Sequence, residues 1–422
     1  MVNEEKRHLF RNSAFLEYFG MNLSSGTSGA VVNVAVVWFV FEMTRSALDV
    51  AVVGFAVSIS AVVTTLPAGV WIDRFDRRLL LLAANALRAV GLCLLAVLTA
   101  SFGFELSAVV ILVSIWSAAG ELYRSTDYSV LPELVEADEV ADANGVTRAG
   151  HRMLSSASYA LGGALVALAG ILFTLLYSAA GYMLASAFSV LLLLRYRRTA
   201  AKDNAPRRSR GMMLSEIREG MRWLVGQRGL FQLSLSAVVF NFMFGLFYYF
   251  IVVYVGLGLK AGPLLFGLIL AANVTGQALG SLLVGRTNAL AHTGKVWLLL
   301  NGALTGALIL SLGLFTSGTF ALSALFLMGL STGFGDNVWL SSAQNLVPKE
   351  MRGRYFAIDG LLSFAGGPPA VAVGGVLIAM FGVLRVYLAT GAILLVSALL
   401  FTSFGSLWRL DGRLSRRGQN EY

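Results

Sequence analysis

Two carboxylates lie deep inside apolar runs, Asp336 within GFGDNVWL and Glu121 within AAGELYRS. An ionisable group in a low-dielectric medium costs on the order of several kcal/mol, so each needs a partner, water or a function. A carboxylate that loses solvation binds a proton reversibly near neutral pH, or attracts a cation. Both residues are therefore candidates for proton coupling or for holding a substrate cation. Asp336 has no basic residue within reach on its own helix. Glu121 has two candidate ion-pair partners, Arg88 and Arg124, the second one turn away. Arg88 is itself about nine residues inside an apolar run and is expected in a buried ion pair. Glu17 falls near the end of a run, where water can reach it.

Uncharged polar residues recur at helical spacing inside other runs. Asn22 and Asn33 share a face with Ser25 and Gly29, and Asn273 and Gln277 share one with Gly280. Asn241, Tyr248 and Tyr249 stand in FNFMFGLFYYF among phenylalanines. Such aromatic walls with sparse polar groups suit a large apolar or amphiphilic ligand. No phosphate-binding loop is present, since the only Gly-Lys pair is Gly294-Lys295 without the required context. The histidines are scattered, no metal-ligand or nucleophile constellation stands out, and neither a cofactor nor an enzyme activity is expected. Cys93 is a lone cysteine, so no intrachain disulfide framework exists.

The elements that must carry these residues are membrane helices. The 422 residues are 57% hydrophobic and only 13% charged, too apolar for a soluble globule. Apolar segments of roughly twenty residues are predicted near 13–41, 48–70, 79–100, 107–127, 147–170, 173–194, 230–256, 263–285, 296–316, 319–343, 355–380 and 383–407. The first is long and interrupted at Ser24, Ser25 and Gly26, which predicts a kink or tilt. The polar start MVNEEKRHLFRN does not read as a cleaved signal. The net charge of +9 is a topology signal rather than a nucleic-acid footprint. Basic residues gather on one side of the twelve spans, while the other side keeps Arg45, Lys260 and Arg385. Both termini and the segment from Arg195 to Gly229 are thus expected in the cytoplasm of a multi-pass cell-membrane protein. The second part of that segment, LSEIREGMRWLVGQRGLF, alternates charges with apolar residues and predicts an amphipathic helix lying on the inner surface.

Between the second and third spans the chain reads GVWIDRFDRR. Gly69, Asp73, Arg74, Arg77 and Arg78 match the loop signature G-x-x-x-D-R-x-G-R-[RK], with Asp76 in place of its second glycine. The chain thereby resembles the major facilitator superfamily, and its central segment resembles the drug:proton antiporter branch with macrolide-efflux and enterobactin-type siderophore exporters. An internal repeat is consistent with this. Leu131-Pro132-Glu133 and Val347-Pro348-Lys349 close the fourth and tenth spans, and Gly162-Gly163 corresponds to Gly374-Gly375. The resemblance implies an all-α fold of two six-helix bundles, 1–194 and 230–422, joined by a basic linker at 195–229. It implies a cavity between the halves. It also implies a conformational latch in which Asp73 meets the eleventh span and Arg77 bridges Asp73 to Asp127. One departure is Ser158-Tyr159-Ala160-Leu161-Gly162-Gly163, which lacks the leading pair of the antiporter motif G-P-x-x-G-G.

These readings converge on a monomeric secondary transporter that exports drug- or siderophore-like amphiphiles in exchange for protons. The alternatives are a carrier of lysophospholipid or lipid-like substrates, and a membrane sensor or assembly protein without transport. The topology is testable by cysteine accessibility in a Cys93-free protein. A cysteine placed between Arg195 and Gly229 should react only with reagents that reach the cytoplasm, and labelling from outside alone would refute the assignment.

Overall fold

A computed structural model describes residues 9–136, 138–195, 210–284 and 296–403, and within them every regular element is helical. The helices are α1 (Ser13–Thr44), α2 (Ala47–Arg74), α3 (Arg77–Phe102), α4 (Leu106–Leu134), α5 (Val140–Arg195) and α6 (Arg210–Gly226). They continue as α7 (Arg228–Gly258), α8 (Pro263–Leu283), α9 (Leu298–Leu314), α10 (Gly318–Leu346), α11 (Lys349–Ala365), α12 (Gly367–Phe381) and α13 (Val383–Thr402). Nine helices among the described residues are long and apolar enough to cross a membrane. Several predicted spans change shape. The fifth and sixth run together as α5, broken at Gly170, whose φ of 80° a side chain would oppose. The eleventh is divided between α11 and α12. The first is a continuous 32-residue helix through Ser24, Ser25 and Gly26.

The ends of these helices follow local chemistry. Asn12 caps α1 by accepting from the Ala14 N–H at 2.9 Å, and its amide donates to Leu134 O at 2.9 Å. Ser46 caps α2 through the Asp49 N–H. The GVWIDRFDRR stretch, expected as a loop, is helical as far as Arg74 and again from Arg77. Only Phe75 and Asp76 turn the chain. Asp76, the departure from the signature, is the N-cap of α3 and accepts from the Arg78 N–H at 2.9 Å. A glycine would leave that donor unmet, so the departure has a structural reason.

Two compact units result. The first comprises 1–201 with 260–271, the second 202–259 with 272–422. In the first, α1 is sheathed by α5, and Phe15, Tyr18, Met21, Leu81, Val130 and Ala185 close its core. The first half of α8 belongs to this unit, meeting α5 where Gly163 faces Gly267. In the second unit, Leu224, Leu230, Ala343, Val347, Tyr355 and Ile358 join α6, α7, α10 and α11. Thus the C-terminal part of α6 is docked on α11. Leu224 is 1% exposed, Gly220 sits against Ile358 and Arg354, and Arg354 pairs with Glu219 at 2.7 Å.

Candidate functional site

In the first unit the polar residues converge on a seam between α1 and α4. Tyr18, Asn22 and Ser25 follow one another on α1 at helical spacing, and Trp116, Gly120, Tyr123 and Asp127 do so on α4. The Asn22 amide donates to Asp127 Oδ1 at 2.9 Å, and the Tyr18 hydroxyl donates to the same carboxylate. One turn beyond Asn22, Ser25 Oγ accepts from Arg88 Nη1 at 3.2 Å and donates to Asn85 Oδ1 at 3.0 Å.

Arg88 is not in the ion pair expected of it. Its guanidinium lies over three rings, 4.6 Å from the centroid of Tyr182, 5.1 Å from Trp116 and 5.9 Å from Tyr123. The quadrupoles of these rings stabilise a desolvated cation. Trp116 Nε1 donates to Tyr182 Oη at 3.2 Å and orients two walls of the cage. Gly120 provides the space: a Cβ there would stand 2.8 Å from Arg88 Nη2. The carboxylate considered as a partner for Arg88 is engaged elsewhere. Glu121 is buried and accepts two bonds from Arg124, at 2.7 and 3.0 Å, with Ser125 and Thr65 completing its shell. Of the two partners considered for Glu121, the structure selects Arg124. Glu17 is also buried and paired with Arg195 at 2.6 Å, rather than open to water.

The latch residues occupy the α2–α3 corner. Gly69, Asp73 and Arg74 are exposed, and open space surrounds the Gly69 Cα where a side chain would project. Arg78 is buried beside Asp76. Arg77 reaches past Asp127 to Glu133 and to Ser129 O. Asp127 lies more than a turn before Glu133 on α4 and is held instead by Asn22 and Tyr18. The expected bridge through Arg77 is therefore displaced along α4.

In the second unit Asp336 is exposed on α10 and accepts from Asn301 Nδ2 of α9 at 3.2 Å. Among the described residues no basic side chain pairs with it. Asn273, expected to face a ligand, is buried and ties two helices together, whereas Gln277 is exposed and bonds within its own helix. The Gln277 amide donates to Asn273 Oδ1 at 2.7 Å, and Asn273 donates to Leu325 O at 3.0 Å across to α10. Asn337 donates to Ser281 Oγ at 2.9 Å in the same interface. Asn33 and Asn241 are exposed, while Tyr248 and Tyr249 are half-buried, with Tyr248 stacked on Phe244 at 5.3 Å.

Sequence reasoning missed Asn85, Trp116, Tyr182 and Asn301. Asn85 was within reach, because it lies one turn before Arg88 on the same face. The cage rings come from helices distant in sequence and carry no local signal.

The residues from 18 to 370 match the description of the Major Facilitator Superfamily. The chain belongs to that family. It is 27% identical over 364 residues to an uncharacterised transporter of the family from Bacillus subtilis, YfiS, covering 85% of each chain. It is 22% identical over 424 residues to macrolide efflux protein A of Streptococcus pyogenes, covering 96% of this chain and 99% of the relative. Among solved structures it is similar to a bacterial homologue of the iron transporter ferroportin in an inward-facing state, with a TM-score of 0.71 and 15% identity over 93% of this chain and 99% of that one. Membership makes the protein a multi-pass membrane transporter and not an enzyme, with a major-facilitator fold.

The cage makes a quantitative prediction. Gly120→Ala should destabilise the protein by about 1–3 kcal/mol through overpacking against the guanidinium. Arg88→Met in the same chain should recover most of that loss, because the clash and the buried charge are removed together. Thermal unfolding of the two single variants and the double variant checks the coupling; additive losses would refute it.

Proposed function

We propose that this chain is a secondary transporter that exports amphiphilic small molecules by alternating access, driven by proton antiport. In this reading it is a monomer with twelve spans and both termini in the cytoplasm. The observation that carries it is Asp336, an exposed carboxylate on a membrane helix, held by a neutral amide and facing no described cation. Exchange transport needs a group that proton and substrate occupy in alternation, and a carboxylate without a fixed counter-ion meets that need. Glu121 meets it less well, because Arg124 already neutralises it. Likeness to macrolide efflux protein A supports export as the direction and amphiphilic compounds as the class.

The test uses purified protein in liposomes with an imposed pH gradient and a macrolide as probe. Asp336→Asn keeps volume and hydrogen bonding but cannot exchange a proton. It should reduce gradient-driven export at least about tenfold, roughly the loss of a 1.4 kcal/mol coupling or more, while folding and abundance are kept. Unchanged proton-driven export would refute the role of Asp336. Glu121→Gln should lower thermal stability yet leave the gradient dependence in place.

The α2–α3 corner is proposed to control conformation rather than touch substrate. Asp73 is the exposed carboxylate of that corner, and Asp73→Asn removes a charge-assisted acceptor without disturbing helix α2. The resting population should shift toward inward-facing conformations. Distances between spin labels on the two bundles report this, and an unchanged distribution would refute it.

A further inference from the structure

A cleft of about 430 Å³ opens in the second unit between α7, α12 and α13. Its walls include Phe242, Met243 and Leu246 of α7, Leu377 of α12, and Ala389 of α13, with Arg385 at one end. The volume lies within the range that binds small ligands, and the lining residues are apolar apart from Arg385 and Thr390. Its flanks are exposed apolar side chains, Val373 at 43%, Phe381 at 50% and Ile393 at 46%. Apolar flanks of this kind on the helices of a membrane protein are suited to contact with acyl chains.

Arg385 distinguishes this cleft from ordinary lipid-facing surface. It is the lone charged residue between Gly367 and Ser403. It is exposed, and among the described residues no carboxylate pairs with it. It also stands in the first turn of α13, whose N-cap is Gly382 at a positive φ of 81°. Glycine supplies no capping side chain, and the first intrahelical bond is Val386 N–H to Gly382 O at 3.2 Å. The backbone donors of residues 383–385 lie in the same first turn as Arg385. A cation and free N–H groups at the mouth of an apolar slot are complementary to an amphiphile with an anionic head.

We propose that this cleft binds an anionic phospholipid of the membrane, one acyl chain lying along α7 and α13 and the phosphate held by Arg385. The assignment is independent of Asp336 and of the transported substrate. It makes the second unit responsive to the anionic lipid content of the leaflet at the Gly382 end.

The probes are phosphatidylglycerol and phosphatidylcholine with identical acyl chains, added to the full-length protein in detergent. Phosphatidylglycerol should raise the unfolding temperature by a few degrees more than phosphatidylcholine. It should also persist as a bound adduct in native mass spectrometry. Arg385→Gln should abolish the preference between the two lipids, whereas Arg45→Gln, at a cation of the first unit, should leave it intact. Ala389→Trp should fill the cleft and remove the adduct; should that variant fold poorly, the Arg385→Gln comparison decides alone. Equal stabilisation by the two lipids, or a preference that survives Arg385→Gln, would overturn the proposal. Displacement of the adduct by the macrolide used for transport would overturn it too, by making the cleft a substrate site. Export by the Asp336→Asn protein and lipid preference of the Arg385→Gln protein are separate readouts, so either reading can fail alone.

Discussion

The second unit depends on how closely α8 and α10 approach. Gly276 and Gly280 on α8 face Gly329 and Gly333 on α10, each pair spaced by four residues. A Cβ at Gly276 would run into Phe326 O, one at Gly329 into Asn273 O, and one at Gly333 into Gln277 O. Lipid offers no hydrophobic drive for two apolar helices to associate, so close packing and interhelical hydrogen bonds must supply the attraction. Backbones brought this near let Asn273, Ser281 and Asn337 bond across the gap. Asp336 lies three residues beyond Gly333, and its position on α10 is set by this contact. A larger residue at any of the four glycines would move the carboxylate along with the helix.

The two units treat the corresponding level of their fourth helices in opposite ways. In the repeat, Gly120 of α4 corresponds to Asp336 of α10. At Gly120 the space is filled by a cation arriving from α3, which Trp116, Tyr123 and Tyr182 surround. At Asp336 the partner from α9 is the neutral Asn301. One unit therefore encloses a positive charge that solvent scarcely reaches, and the other presents a negative charge that is open. An arginine guanidinium stays protonated at any physiological pH, which suits a fixed structural element. An open carboxylate can, which suits exchange. The same helical framework thus separates a permanent charge from a variable one.

Local chemistry accounts for much of what was legible. Span positions follow from hydropathy, and the α2–α3 corner from its charged signature. The function of Asp76 as an N-cap follows from its place before Arg77, although the resemblance alone presented it as a loss. Other expectations failed because they concerned partners. Arg77 was paired with Asp127 from the family pattern, yet Glu133 lies nearer the corner and takes the guanidinium. Asn273 and Gln277 share a polar helical face, and a polar face in a membrane helix serves a ligand or a neighbouring helix equally well. Periodicity cannot distinguish the two.

By itself the sequence determined that the chain lives in a bilayer as helices, where its charged corner falls, and which acids lie deep within spans. These properties depend on residues near one another in the chain, through transfer of side chains to lipid and through the pairing of each backbone group within its own helix. The tertiary structure decided which of the deep charges are neutralised. Glu121 and Arg124 meet because they are one turn apart, so that pair was readable. Arg88 met three rings instead of an acid, and Asp336 met an amide, because side chains from separate helices reach those points only after packing. Coulombic and quadrupolar interactions act over a few ångströms, and sequence distance does not report which helices will be that close.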